Sequence, residues 1–335
     1  MQNPLVSILM PVKNTKDFLE DCLLSIVNQS YHNWQLIAVN DHSTDTSKSI
    51  LENFAFKDTR ILVFDNDKIG IINALRKAFS VSSGKLITRM DSDDLMTPNK
   101  LEIMVKSLLN NGQGHVAIGQ VKYFSGAGIK DGYARYEKWL NSLTKKGENF
   151  SEIYKECVIP SPCWMVYRED LELCESFNPN NYPEDYDLAF RFYKNKLKCI
   201  PCSEILHLWR DYNYRTSRTS EHYAQNYFLE IKLRYFLELE NHSNGVIAIW
   251  GAGNKGKVIA KKLKELGINF YWYCDNPKKI GKEIYGTTLL HFSKLEELKN
   301  YKCIITVANA IEQDTITSFF IKLGKSSMVD YYYFC

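Results

Sequence analysis

Three carboxylates crowd four positions in Arg89-Met-Asp91-Ser-Asp93-Asp94, directly after the run Leu86–Met90, which reads as a buried strand. Like charges this close repel unless a positive charge sits among them, and a hard divalent cation with phosphate oxygens is the natural partner. The same residues also fit a helix cap, since Asp93 or Asp94 is well placed before a helix starting near Pro98. A second acidic turn, Val39-Asn40-Asp41-His42-Ser43-Thr44-Asp45, closes another apolar run. An aspartate there can accept a hydrogen bond from the N–H of a nucleotide base, or the turn can be capping by Ser43 or Thr44. The third group, Pro183-Glu184-Asp185-Tyr186-Asp187-Leu188, heads an amphipathic stretch. Carboxylates at a helix start are favoured by capping and by the dipole. Asp185 can instead be a general base if burial or Glu184 lifts its pKa from the ordinary value near about 4.

The elements that carry these turns follow from periodicity. Val6–Met10, Gln35–Val39, Arg60–Phe64 and Leu86–Met90 read as buried strands, with apolar pairs at helical spacing between them, as in Phe18-Leu19, Cys22-Leu23 and Ile26-Val27. That alternation predicts an α/β fold with a doubly wound sheet, whose strand ends bring Pro11, Asp41 and Asp91 to one crevice. Residues 112–220 are less regular and read as loops plus a short second sheet. Residues 221–241 read as a helix, and the polar stretch Asn241–Gly245 as a break. The expected organisation is therefore 1–220, a helical linker over 221–244, and 245–335.

The last segment carries its own nucleotide-fold pattern. Val246–Trp250 reads as a strand, Gly251-Ala-Gly253-Asn-Lys-Gly256 as a glycine turn, and Phe270–Cys274 as a second strand ending in Asp275. Two readings stay open: a site for a nucleotide or sugar phosphate, or a structural, dimerising unit that keeps the glycines for packing. About 90 residues are too few for a complete nicotinamide-dependent oxidoreductase.

Composition narrows the classes. With 335 residues, 45% of them hydrophobic, the chain can bury a large core, and its net charge of +3 argues against a nucleic-acid partner. No stretch approaches the roughly 18 apolar residues of a membrane span, so the expectation is a cytoplasmic protein. Lys255, Lys257, Lys261, Lys262 and Lys264 offer either peripheral contact with anionic lipid at the inner membrane face or a solvated helix face. Nine cysteines, with Cys199 and Cys202 the one C-x-x-C pair, fit reduced core thiols better than zinc ligands or disulfides.

Taken in order, the three acidic motifs resemble the family 2 glycosyltransferases over roughly residues 4–220. Val6–Asn14 is similar to the family's first strand and turn, Gln29-Ser-Tyr31 to the end of its first helix, and Val39–Asp45 to its V-D-D-G-S-T-D element. Gly70–Ala78 is similar to its glycine-headed helix, and Arg89–Asp94 to its R-x-D-x-D-D element. The resemblance implies a GT-A fold and an inverting, metal-dependent transfer from a nucleoside diphosphate sugar, most often of uridine. The acceptor would be a hydroxyl of a saccharide or lipid-linked saccharide in surface polysaccharide synthesis. It implies Pro11, Asn14, Asp41, Arg76, Arg89, Asp91 and Ser92 around the donor, Asp91 and Asp93 on Mn2+ or Mg2+, and Asp185 with Glu184 as the catalytic base. Trp164, Trp209 and Arg210 would line the acceptor site. Asn40 and His42 depart from the family's aspartate and glycine, and Arg76 stands where many relatives have asparagine. The family's downstream histidine ligand is out of register, which leaves His207 as a substitute from upstream or as a structural residue. These departures also admit a different class, a catalytically idle nucleotide-sugar binder or scaffold.

Overall fold

The apolar runs become the strands that periodicity predicts. In the computed structural model, which describes residues 3–126, 128–213, 215, 228–241 and 245–335, strands β1 (Val6–Val12), β2 (Trp34–Asn40), β3 (Ile61–Asp65) and β4 (Leu86–Arg89) lie parallel in the order β3-β2-β1-β4. Strand β1 is buried at all positions but Pro11, as a strand covered on both faces must be. Helices α1 (Leu19–Val27), α2 (Ser47–Lys57) and α3 (Ile71–Val81) make the crossovers. Each turns a narrow apolar stripe to the sheet; that of α3 is Ala74, Leu75 and Ala78.

The middle of the chain differs from expectation. Instead of a separate small sheet, β5 (Leu95–Met96), β6 (His115–Phe124), β7 (Trp164–Tyr167) and β8 (Lys198–Arg210) extend the first one, in the order β3-β2-β1-β4-β7-β6-β8-β5. The physical reason is the bare edge of β4: β7 pairs antiparallel with it and with β6, satisfying backbone groups that would otherwise lie open. The helices here are α4 (Lys100–Asn111), α5 (Asp131–Lys146), α6 (Arg168–Leu173) and α7 (Glu184–Lys194). Helix α5 forms although Gly126, Gly128 and Gly132 look like loop markers, because only Gly132 falls inside it and Leu140 and Leu143 anchor it by burial.

The chain divides into two compact units, 1–150 with 158–218, and 151–157 with 219–335. In the second, α8 (Phe228–Leu239) covers the described part of the predicted helix; residues 221–227 and 242–244 of the expected linker lie outside the described residues. Strands β9 (Val246–Trp250), β10 (Phe270–Cys274), β12 (Thr287–His291), β13 (Tyr301–Ile305) and β14 (Tyr331–Tyr333) are parallel, in the order β12-β10-β9-β13-β14. This is the doubly wound order of a Rossmann-like sheet. Strand β11 (Glu283–Ile284) adds antiparallel at its edge, and α9 (Asn254–Glu265) and α10 (Ala310–Lys322) are its long helices. Residues 151–157 put Tyr154 into this core, its ring parallel to Phe334 at 5.3 Å and its hydroxyl donating to Glu240 at 3.1 Å. All nine cysteines are free thiols. No helix among the described residues is long and apolar enough to cross a membrane.

The glycine turn of the second unit is a packing device at two of its three positions. Gly251 has φ +122°, and a Cβ on Gly256 would lie 2.0 Å from the Gly251 carbonyl oxygen, whereas a Cβ on Gly253 would meet nothing within 4 Å. Gly256→Ala is therefore expected to destabilise by about 1–3 kcal/mol, and Gly253→Ala by no more than about 0.5 kcal/mol. Thermal unfolding of the two variants beside the parent measures the contrast.

Candidate functional site

The acidic triplet occupies the tight turn between β4 and β5, and Arg89 is the last residue of β4. Its guanidinium is buried. Nε donates to Oδ1 of Asp91 at 2.9 Å, and a terminal nitrogen donates to Oε1 of Glu184, also at 2.9 Å. One side chain thus ties the turn after β4 to the head of α7, across 95 residues of sequence. Beside Glu184, Asp185 is half-buried and accepts from its neighbour's backbone, Tyr186 N, at 2.8 Å. Burial, then the charge of Glu184, push its carboxyl up to about 7, against the opposing pull of Arg89.

Within the turn the three aspartates do different things. Asp94 is fully buried: Oδ1 accepts from Arg210 N at 2.8 Å, and Oδ2 lies 3.0 Å from Nε2 of His207. Asp93 is half-buried and accepts from the Tyr212 hydroxyl at 2.8 Å through one oxygen. Burial first, then Asp94, raise Asp93 to about 7. Ser92 is buried and accepts from the Thr15 hydroxyl at 3.1 Å, which fixes the turn to the chain after β1. Asp91 and Asp93 are left as the partly exposed pair. Among the described residues no three His, Cys, Asp or Glu side chains form a metal-holding group by themselves.

The turns after β1 and β2 form the adjoining wall. Pro11 pairs with Val39 across the two strands. Asn14, at φ 53°, accepts from Thr44 N at 2.8 Å. Asp41 is buried and accepts from Gly70 N at 2.9 Å and Asn66 Nδ2 at 2.7 Å, with Lys13 Nζ 3.6 Å from its other oxygen. It therefore anchors the entry to α3, and a carboxylate's roughly four acceptor sites leave it capacity for a further donor. Asn40 points inward, donating to Asp65 and accepting from Ser43 N. His42 sits at φ 55°, the left-handed conformation that favours glycine.

Five expected site residues are buried or engaged by other parts of the chain. His207 is not available as a metal ligand: it is fully buried, with one ring nitrogen on Asp94 and the other 3.3 Å from Lys100 Nζ. Trp164 lies in the core on β7 with its ring edge-on to Phe192, and Trp209 is buried among Tyr123, Tyr136 and His207, so both rings are spent on packing. The guanidinium of Arg76 is engaged by the carbonyls of Phe177 and Asn178 and the side chain of Asn180. Arg210 is likewise engaged, with Nε on the Asp93 carbonyl and a terminal nitrogen on Asp21. In the second unit, Gly251, Gly253 and Gly256 form the turn from β9 into α9, and Asp275 is exposed just past β10. Lys100, Tyr212 and Arg215 were not anticipated. A lysine on the stripe otherwise made of Leu101, Met104, Val105 and Leu108 is the sequence signal that reveals the first; Arg215 lies over the rings of Tyr123 and Trp209.

Comparison with known proteins points one way. Residues 7–174, half of the chain, match the family described as Glycosyl transferase family 2. An uncharacterized glycosyltransferase of Haemophilus influenzae is 28% identical over 315 residues, 88% of this chain and 92% of that protein. The Escherichia coli UDP-Glc:alpha-D-GlcNAc-diphosphoundecaprenol beta-1,3-glucosyltransferase WfgD is 29% identical over 248 residues, 70% of this chain and 85% of that one. Among solved structures, Staphylococcus aureus TarS 1-349 in complex with UDP-GlcNAc superposes with a TM-score of 0.55 at 16% identity, over 69% of this chain and 66% of that one. The Pyrobaculum calidifontis mannosyltransferase PcManGT, in complex with GDP-Man and Mn2+, gives 0.53 at 15%, over 72% and 66%. At those identities the likeness is one of fold.

Removing the guanidinium leaves a buried carboxylate, Glu184, and a partly exposed one, Asp91, uncompensated. Arg89→Met is expected to lose about 3–5 kcal/mol of stability, read from the urea midpoint at unchanged slope. Adding Glu184→Gln should recover part of it, because the buried charge is then gone.

Proposed function

The chain belongs to glycosyltransferase family 2, and from that premise we propose that it moves a sugar from a nucleoside diphosphate sugar, specifically a uridine one, to a hydroxyl of a saccharide or lipid-linked saccharide, with inversion. The observation that carries this reading is the Arg89 bridge, which holds Asp91 and the Glu184-Asp185 pair about one centre. The substrate class is supported by WfgD, whose name specifies a UDP-glucose donor and a diphosphoundecaprenol-linked sugar, and by TarS, seen with UDP-GlcNAc. Surface polysaccharide synthesis is the setting that such an acceptor suggests.

Asp41, with Pro11, Asn14 and Ser92, forms the wall for the base and ribose. Asp91 and Asp93 suit a hard divalent cation, Mn2+ or Mg2+: both are carboxylates, and the burial and the Asp94 charge that raise Asp93 are offset by positive charge. Two carboxylates completed by diphosphate oxygens and water are an ordinary donor set for such an ion. Bound there, the ion would supply neutralisation of the charge that develops on the leaving diphosphate. Asp185 takes the proton of the acceptor hydroxyl as that oxygen attacks the anomeric carbon and the bond to the diphosphate breaks. One displacement inverts the centre. Arg89 keeps Glu184 and Asp91 in place while this happens.

Two measurements test the reading. A screen of nucleoside diphosphate sugars with Mn2+ should raise the melting temperature for a uridine donor in the parent and not in Asp93→Ala; a folded parent that no donor stabilises would sink the proposal in favour of an idle scaffold.

The second concerns pH. With Asp185 near 7, kcat/KM should fall about tenfold per unit below that value. Asp185→Asn should lose about 10²–10⁴-fold in rate and the acidic limb with it. The linkage sign separates chemistry from folding. Because the folded state keeps a proton that the unfolded chain releases above about 4, Asp185 costs stability as pH rises to about 7. At pH 8 the Asn variant should therefore unfold no more easily than the parent.

A further inference from the structure

Beneath the acidic turn lies a chain of polar groups that the chemistry above does not use. Lys100, His207 and Asp94 all have zero exposure. Lys100 Nζ donates to the carbonyl of Pro162 and lies 3.3 Å from Nδ1 of His207; Nε2 of His207 lies 3.0 Å from Oδ2 of Asp94. Oδ1 of Asp94 takes the backbone N–H of Arg210 at 2.8 Å.

The donor inventory fixes the protons. An ammonium group has donors only, so at the first contact Nδ1 of the imidazole must accept. The single proton of a neutral ring is then on Nε2, where it is given to the Asp94 carboxylate. A doubly protonated ring would set N–H against N–H at Lys100, and burial together with Lys100 holds His207 well below the usual histidine range. The array is one ammonium and one carboxylate joined through a neutral ring: burial lowers Lys100 and raises Asp94, and each one's charge on the other, with the contacts to Pro162 and Arg210, opposes that.

We propose that Lys100 is a positioning residue: by locking His207 in its Nε2–H tautomer it clamps Asp94 inward, and so sets the turn on which Asp91 and Asp93 face the donor. Released from His207, Asp94 keeps only the Arg210 N–H and can turn its second oxygen toward Asp93, where it would compete with the diphosphate oxygens for the same cation. The proposal rests on the glycosyl-transfer reading for its kinetic consequence and not for its proton arrangement.

The test uses the full chain with ring-labelled histidine. In the parent, 15N NMR should show His207 with an unprotonated Nδ1 and a protonated Nε2, and Lys100→Met should let Nδ1 take up a proton, because the ammonium that forbids it is gone while Asp94 still holds Nε2–H. Lys100→Met should also raise the Mn2+ concentration for half-maximal transfer and lower kcat/KM for the donor about 10–100-fold. His207→Gln offers an oxygen to Lys100 and an N–H to Asp94, so it should stay within about fivefold of the parent, while His207→Phe should fall with Lys100→Met. If Lys100→Met fails to fold, the Gln and Phe pair decides. A protonated Nδ1 in the parent, full activity in Lys100→Met, or equal loss in Gln and Phe overturns the proposal. Should the parent transfer no sugar, the functional reading fails while the NMR result still decides the tautomer lock.

Discussion

A buried guanidinium between two carboxylates holds the site together. Removing three charges from water is costly, and the arrangement stands only because Arg89 meets both partners at hydrogen-bond distance. Its fork geometry matters, since a lysine point charge could not address Asp91 and Glu184 along separate N–H directions. The remaining geometry follows from it. The bridge ties the turn after β4 to α7, and α7 carries Asp185, whose carboxyl is raised by burial and then by Glu184.

Around that bridge the acidic groups divide into those that face outward and those consumed by structure. Asp94 spends its acceptors on Arg210 N and His207, and Asp41 spends part of its own on Gly70 N and Asn66, while the neutral Asn40 ties the same strand end to Ser43 and Asp65. Asp91, Asp93 and Asp185 remain partly exposed, and burial with a neighbouring carboxylate raises the latter two. Hydrogen-bonded support beside accessible, raised carboxyls is the arrangement expected where charge must be exchanged with a ligand.

The first four strands and their helices were legible because local periodicity determines them. The three acidic motifs were legible for the same reason, as strand-end and helix-start chemistry. What escaped were features set by pairing at long range. Strand β7 joins the sheet through β4, about which the residues near Trp164 say nothing locally, so a tryptophan near a motif looked like a ligand wall and is core. Arg76 and His207 were misplaced similarly: a long polar side chain near a motif can as easily serve the loop beneath it, here residues 177–180 and Asp94. The bridge itself was visible only as two separate motifs, with nothing in the sequence to say that Arg89 would join them.

The excursion of residues 151–157 into the second unit has a consequence for how the chain can be divided. Tyr154 fills space among Phe236, Tyr332 and Phe334 in the core of the second unit, yet both flanking stretches of chain belong to the first. No single scission therefore yields two self-sufficient halves: a C-terminal fragment starting at the polar break lacks an aromatic ring from its interior, and the N-terminal remainder presents that ring to water. A division that respects both cores has to keep residues 151–157 with 219–335.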